Sequence, residues 1–133
     1  MQITRQADYA VRAVLYLANL SNGGRAPTSQ IAREQQIPPS FLAKIVSQLS
    51  VAGVVQTSRG ARGGVSLARP SSDITLLEVI EAIDGPITLN ECVIDPGVCP
   101  FGDTCPVHTI WSEAQAKLVS RLKTTNFKSL VAN

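Results

Sequence analysis

The chain has 133 residues, 44% of them hydrophobic, and carries twelve basic side chains against ten acidic ones, a net charge of +2. That length suits one domain or a small domain with an appendage, and no apolar run is long enough to span a bilayer. Met1 to Arg5 lacks the apolar stretch of a signal peptide, and three cysteines are an odd number, which argues against an oxidised secreted scaffold and predicts a reducing, cytoplasmic setting.

The charge is unevenly divided. Residues 1–70 hold eight basic side chains (Arg5, Arg12, Arg25, Arg33, Lys44, Arg59, Arg62 and Arg69) against Asp8 and Glu34, a net of +6. Residues 71–133 hold four basic against eight acidic side chains, a net of −4. Such asymmetry points to a polyanion partner for the first half.

From Thr4 to Leu20, apolar Ala7, Ala10, Val11, Val14, Leu17 and Ala18 recur at the spacing of an amphipathic helix, which Asn22-Gly23-Gly24 stops. Thr28 is the expected N-cap of a short helix to about Gln35, with Ile31 and Ala32 inward and no acid three residues on to complete a capping box. Ile37-Pro38-Pro39-Ser40 breaks that helix and starts another, with Phe41, Leu42, Ile45, Leu49 and Ala52 as its expected buried stripe and Gly53 as its end. Ser40, Lys44, Ser47 and Gln48 fall on or near the outer face. Two short helices joined by a tight break, the second presenting small polar and basic groups, read as helix-turn-helix, although any small bundle fits the period alone.

Val54-Val55-Gln56-Thr57 and Val65-Ser66-Leu67-Ala68 are β-prone and flank the glycine-rich Ser58 to Gly64, which predicts a hairpin with Arg59 and Arg62 at its tip. The expected fold is therefore mainly α with a small β-hairpin wing, a winged helix-turn-helix. A basic tip of this kind can enter a minor groove. A nucleotide-binding loop is the alternative for the glycines, but no G-x-x-x-x-G-K-[ST] run leads from a strand into a helix.

Thr75 and Glu78 are placed to form a capping box, with Ile74 and Val79 as its hydrophobic staple, for a helix running to Asp84 before Gly85-Pro86. Further on, Thr109 to about Lys123 is predicted helical, with Trp111, Ala114, Leu118 and Leu122 in one stripe. So small a winged helix cannot cover that stripe as well as its own core. The expected cover is the same helix of a second subunit, giving a long C-terminal dimerisation helix and a homodimer on a near-palindromic double-stranded DNA site. After Thr124-Thr125-Asn126, Phe127, Leu130 and Val131 are expected to fold a last turn back onto that helix. Residues 1–70 are thus read as the DNA-binding region and 71–133 as ligand loop and dimerisation helix, within one regulator domain.

Between those helices, Glu91 to His108 holds all three cysteines of the chain and its only histidine. Pro96, Pro100, Pro106, Gly97 and Gly102 exclude a long helix or central strand there. A lone cysteine is usually a small buried hydrophobe, and one disulfide would leave a thiol over, so the clustering favours a metal. Zinc sites usually pair cysteines two to four residues apart, whereas six residues separate Cys92 from Cys99 and five separate Cys99 from Cys105. The wide spacing mildly favours an iron–sulfur cluster, with zinc as the alternative. Three thiolates fall one short of the usual four, which implies a non-cysteine ligand or an open position. A cysteine hydrolase using His108 would lack an orienting third residue, and an adaptor that keeps this fold without DNA is a further alternative.

Taken together, Asp8-Tyr9-Ala10-Val11, Ile37-Pro38-Pro39-Ser40-Phe41-Leu42, Arg59-Gly60-Ala61-Arg62-Gly63-Gly64, Thr75-Leu76-Leu77-Glu78-Val79-Ile80 and the three cysteines resemble the Rrf2-type bacterial regulators, which include IscR and NsrR. The likeness runs along nearly the whole chain. It implies a dimeric repressor whose DNA affinity depends on a 2Fe-2S or 4Fe-4S cluster near the subunit interface, sensing redox state, nitric oxide or the supply of iron and clusters. Cys105-Pro106-Val107-His108 followed by Trp111 is similar to the arrangement in which a histidine completes a two-iron site. Asp8 is similar to the arrangement in which a carboxylate of the partner subunit's first helix caps a four-iron cluster, and both candidates stay open. On this reading Ser40, Lys44 and Gln48 meet the major groove, Thr28, Ser29 and Gln30 meet phosphate at a helix N-terminus, and Arg59 and Arg62 serve the wing. Two departures stand out: the first cysteine gap is one residue longer than the family pattern, and Ala43 replaces an acid by which IscR distinguishes two classes of DNA site. The rival function is a zinc-stabilised or cluster-free winged-helix DNA-binding protein that senses nothing.

Overall fold

Thr4 starts the first helix, its hydroxyl oxygen accepting from the Ala7 N–H at 3.1 Å, a side-chain cap for one of the N–H groups that a helix start leaves without an intrahelical partner. The computed structural model describes residues 2–20, 24–61, 63–90, 93, 100–101 and 104–131. Helix α1 (Arg5–Asn19) buries Ala7, Ala10, Val14 and Leu17 as predicted, and Tyr9 and Ala13 besides. Val11 and Ala18 pack at the edge of the same core.

Helix α2 (Thr28–Gln35) buries Ile31 and Ala32. Its N-cap is Pro27, which corrects the expectation for Thr28. Pro27 is held at φ −62 and ψ 148, the extended geometry of a cap, and its carbonyl takes the N–H groups of Gln30 and Ile31 at 3.0 and 3.2 Å. A cap residue needs non-helical torsions more than a side chain. Gln36 then turns left-handed at φ 53 and leads into helix α3 (Pro39–Val51), where Pro39 occupies the first helical turn, the position at which a missing N–H loses no bond.

The buried stripe of α3 is Leu42, Ile45, Val46 and Leu49. Two members of the predicted stripe lie elsewhere. Phe41 is 43% exposed, and Ala52 is exposed as the C-cap. The buried arc of α3 is turned from the Phe41 and Ala52 side toward Val46, which lies one turn after Leu42.

Strands β1 (Val55–Ser58) and β2 (Gly64–Leu67) pair antiparallel, with Val55 opposite Leu67 and Ser58 opposite Gly64. Ala26 adds a bridge to the outer side of β2 through two bonds with Val65, at 3.0 and 2.8 Å. The wing is thereby tied to the residue just before α2. A Cβ on Gly64 would lie 2.6 Å from the Ala26 carbonyl oxygen, so this close approach requires glycine.

A short 3-10 turn (Ser71–Asp73) precedes helix α4 (Leu76–Asp84). The capping box forms as expected, with the Glu78 N–H on the Thr75 hydroxyl at 3.2 Å and the Thr75 N–H on Glu78 Oε1 at 3.0 Å. Glu78 also meets Arg69 at 3.1 Å, which holds the exit of the wing against α4. Gly85 ends the helix at φ 78.

Helix α5 (Pro106–Lys123) begins three residues ahead of the predicted Thr109, with Pro106 in its first turn and Cys105 as N-cap. Helix α6 (Phe127–Leu130) is capped by Asn126, whose side chain accepts from the Ser129 N–H at 2.9 Å. Bonds from the Leu76 N–H to the Thr125 carbonyl and from the Phe127 N–H to the Ile74 carbonyl, at 2.9 and 3.1 Å, zip this last turn to the start of α4. Phe127 therefore enters the main core beside Ile74 and Val14, fully buried, rather than resting on the long helix as expected. Leu130 stays exposed.

Two cores result. The larger joins α1, α2, α3, the wing, Ile74, Val79 and Phe127; the smaller joins Ala7, Leu77, Ile80 and Ile87. Leu118, Val119 and Leu122 of α5 pack on the smaller one. Half of the stripe expected to face a second subunit is thus used within the chain. Val107, Ile110 and Trp111 remain 46%, 58% and 39% exposed. Among the described residues no helix is long and apolar enough to cross a membrane.

Candidate nucleic-acid interface and ligand loop

Helix α3 presents Ser40, Lys44 and Ser47 at steps of four and three, one exposed face. Gln48 is half-buried, and its Oε1 is buried without a partner among the described residues. Between α2 and α3 runs an open groove of about 380 Å³, lined in part by Thr28, Ser29, Arg33, Pro39 and Ala43. A second groove of about 310 Å³, lined in part by Thr28, Ser58, Gly60 and Gly63, separates α2 from the wing. Thr28 borders both, so the recognition helix, the start of α2 and the wing form one continuous face. Lys44 and Arg59 are exposed on it with no acidic partner among the described residues. Arg62 lies outside the described residues.

Thr28 and Ser29 are exposed at the start of α2. Gln30 is not comparable to them: its N–H is held by Pro27 and its side-chain amide donates to the Tyr16 hydroxyl at 2.5 Å. Sequence alone placed Gln30 with its neighbours because a helix N-terminus is polar by composition. It could not show that a tyrosine on α1 reaches across.

A second feature was not legible in the pattern. Arg12 on α1 donates from Nη1 to the Gln35 carbonyl at 2.9 Å, beside the left-handed turn that links α2 to α3. Its guanidinium lies 4.8 Å over the Tyr9 ring, and Tyr9 meets Phe41 at 6.2 Å between centroids, tilted by 54°. These contacts, each worth about 0.5–1.5 kcal/mol, explain why Phe41 is placed although half exposed. Asp8 is exposed and pairs with Arg12 Nε at 3.3 Å.

Of the expected loop ligands, Cys92 and Cys99 lie outside the described residues. Cys105 is a half-buried free thiol at the N-cap of α5. His108 follows one turn later, its N–H donating to the Cys105 carbonyl at 3.1 Å. The ring Nε2 stands 3.5 Å from the Ser112 hydroxyl, and Nδ1 is buried without a hydrogen-bond partner among the described residues. A buried polar atom left unpaired costs about 1–3 kcal/mol. A thiol and an orphaned imidazole nitrogen a turn apart are donors that fit zinc or an iron–sulfur cluster. At the other end of the loop, Gln115 of α5 hydrogen-bonds the backbone at Ile87 and Leu89, a contact without any signature in the sequence.

A family profile described as Rrf2, iron-dependent transcriptional regulator, matches residues 3–133. The chain belongs to the Rrf2 family. IscR of Xenorhabdus nematophila, an HTH-type transcriptional regulator, is 34% identical over 133 residues, covering 100% of this chain and 80% of that protein. Among solved structures, CymR, the global cysteine regulator of B. subtilis, superposes with a TM-score of 0.84 at 26% identity, covering 98% of this chain and 95% of that one. T. potens IscR shares the fold with a TM-score of 0.75 at 23% identity, covering 98% and 86%. This Rrf2 chain is a DNA-binding transcriptional regulator and not an enzyme. Its mainly helical winged fold with a two-stranded hairpin is that of the family's regulators.

Proposed function

We propose that the chain is a homodimeric cytoplasmic repressor that binds a near-palindromic operator and whose DNA affinity is set by an iron–sulfur cluster held by Cys92, Cys99, Cys105 and His108. The observation that carries this reading is His108 Nδ1, buried one turn after Cys105 and without a partner among the described residues. A ligand bond would relieve that unpaired atom and supply the fourth donor that three cysteines lack. Asp8, the alternative fourth donor, is already engaged by Arg12 at 3.3 Å and exposed, so it would have to leave that pair to serve a partner subunit.

When bound, the cluster supplies an iron centre sensitive to oxidation, nitric oxide and iron supply. The chain's own residues do the rest. Cys105 and His108 stand on the first turn of α5, and the apolar turns beside them, Val107, Ile110 and Trp111, are free to meet a second copy. A change at the loop would thus act on the helix that spaces two recognition helices. On DNA, Ser40, Lys44 and Gln48 are assigned to the major groove, Thr28 and Ser29 to phosphate through the start of α2, and Arg59 and Arg62 to the wing. Gln30 is reassigned to holding α2 on Tyr16.

Anaerobic native mass spectrometry of the full chain tests this in one measurement, reading dimer mass, iron and sulfide together. His108→Ala should lose the cluster and Asp8→Ala should keep it. The reverse result moves the fourth ligand to Asp8 of the partner subunit. Zinc without sulfide would replace the sensor by a zinc-stabilised winged helix.

A further inference from the structure

Gln115 stands near the middle of α5 and spends its side-chain amide on backbone. Oε1 accepts from the Leu89 N–H at 2.8 Å, and Nε2 donates to the Ile87 carbonyl. A neighbouring strand takes the same two groups from residues two apart, so the amide acts as a one-residue strand partner. Only one orientation of the amide sets oxygen against N–H and nitrogen against carbonyl, which fixes its assignment. Ile87 is anchored by its side chain in the smaller core with Leu77 and Ile80. The two amide bonds then set the direction in which the chain leaves that anchor.

Cys92 follows Leu89 by three residues, a tether that reaches no further than about 10 Å. Cys105 and His108 lie on the same helix as Gln115, about 15 and 10 Å along its axis at the helical rise. One side chain therefore registers the beginning of the ligand loop against the helix that carries the donors at its end. We propose that Gln115 is a positioning residue for the cluster site, holding residues 87–89, where the ligand loop begins, on the helix whose first turn carries Cys105 and His108. What the segment delivers rests on the cluster reading above; the clamp itself does not.

The test uses the full chain with Gln115→Leu, which removes both bonds at similar size, and Gln115→Glu, which keeps an acceptor for Leu89 but loses the donor to Ile87. In cluster-free protein, hydrogen exchange at the Leu89 amide should quicken about tenfold in Gln115→Leu and less in Gln115→Glu, with amides of α1 and α3 unchanged. In anaerobically loaded protein, iron release to a chelator should quicken by about the same factor and in the same order of variants. Unchanged Leu89 exchange overturns the clamp. Faster exchange with wild-type iron release overturns the positioning role and leaves a merely structural contact. A wild-type chain that takes up no iron and sulfide overturns the cluster reading, and the positioning role with it. The exchange data, read separately, distinguish that failure from a failure of the clamp.

Discussion

Arg59 stands exposed beside the wing tip without an acidic partner among the described residues, so its charge is available to phosphate. Arg59→Ala should weaken DNA binding and lower the slope of log affinity against log salt by about one unit, read by equilibrium titration at several salt concentrations. A slope equal to wild type would remove it from the backbone contacts. Two positive-φ positions make opposite predictions. Gln36 closes the turn before α3 at φ 53, a conformation that costs a side-chain-bearing residue about 1 kcal/mol. Gln36→Gly should therefore raise the melting temperature by a few degrees, less what glycine loses in the unfolded chain. Gly64 is at φ 153 with the Ala26 carbonyl oxygen 2.6 Å from where a Cβ would stand. Gly64→Ala should cost about 1–3 kcal/mol, because backbone and not a flexible side chain must move. The same melts read both variants, and a stabilised Gly64→Ala would show that the Ala26 bridge is not kept.

At the scale of elements, Phe127 shows what a four-residue helix can contribute. It is fully buried in the main core although it lies near the chain's end, held by the bridge between Asn126 and Thr75. Phe127→Ala should lower unfolding stability by about 3–5 kcal/mol in denaturant titration, as for other large buried aromatics, and a loss under 1 kcal/mol would mean that α6 is only loosely docked. Helices α1 to α4, the wing and the capping box at Thr75 and Glu78 were legible because they rest on short-range signals: apolar spacing, prolines, glycines and a cap three residues from its partner. Pro27 as N-cap escaped because a cap is chosen by torsion, and Thr28 offered the better-known side chain. Phe127, Tyr16 with Gln30, and Gln115 with Ile87 and Leu89 escaped because each contact closes over a long stretch of chain. The candidate DNA face was legible as residue types on a helix and a hairpin. Its continuity through Thr28 was not, since that depends on how α2 sits between α3 and the wing.

At the scale of the molecule, α5 is divided along its length. Its later turns, through Leu118, Val119 and Leu122, rest on the chain's own smaller core, whereas Val107, Ile110 and Trp111 of its early turns lie open beside Cys105 and His108. A patch of exposed large apolar residues on one helix suits an interface, and a two-fold pairing there would set both candidate ligand loops near the axis. Ile110→Glu places a charge in that patch without touching Leu118, Val119 or Leu122. The variant should sediment as a folded monomer with a wild-type circular dichroism spectrum. Its affinity for a single half-site should be unchanged, because Lys44, Arg59 and the start of α2 belong to one subunit. Its affinity for the full palindrome should fall by about 10²–10⁴-fold, the gain that linkage of two binding units confers. If Ile110→Glu sediments as a dimer, the pairing surface lies elsewhere on the molecule. If it is monomeric yet binds the palindrome as wild type does, each subunit reads DNA alone, and a change at the loop could not act by spacing two recognition helices.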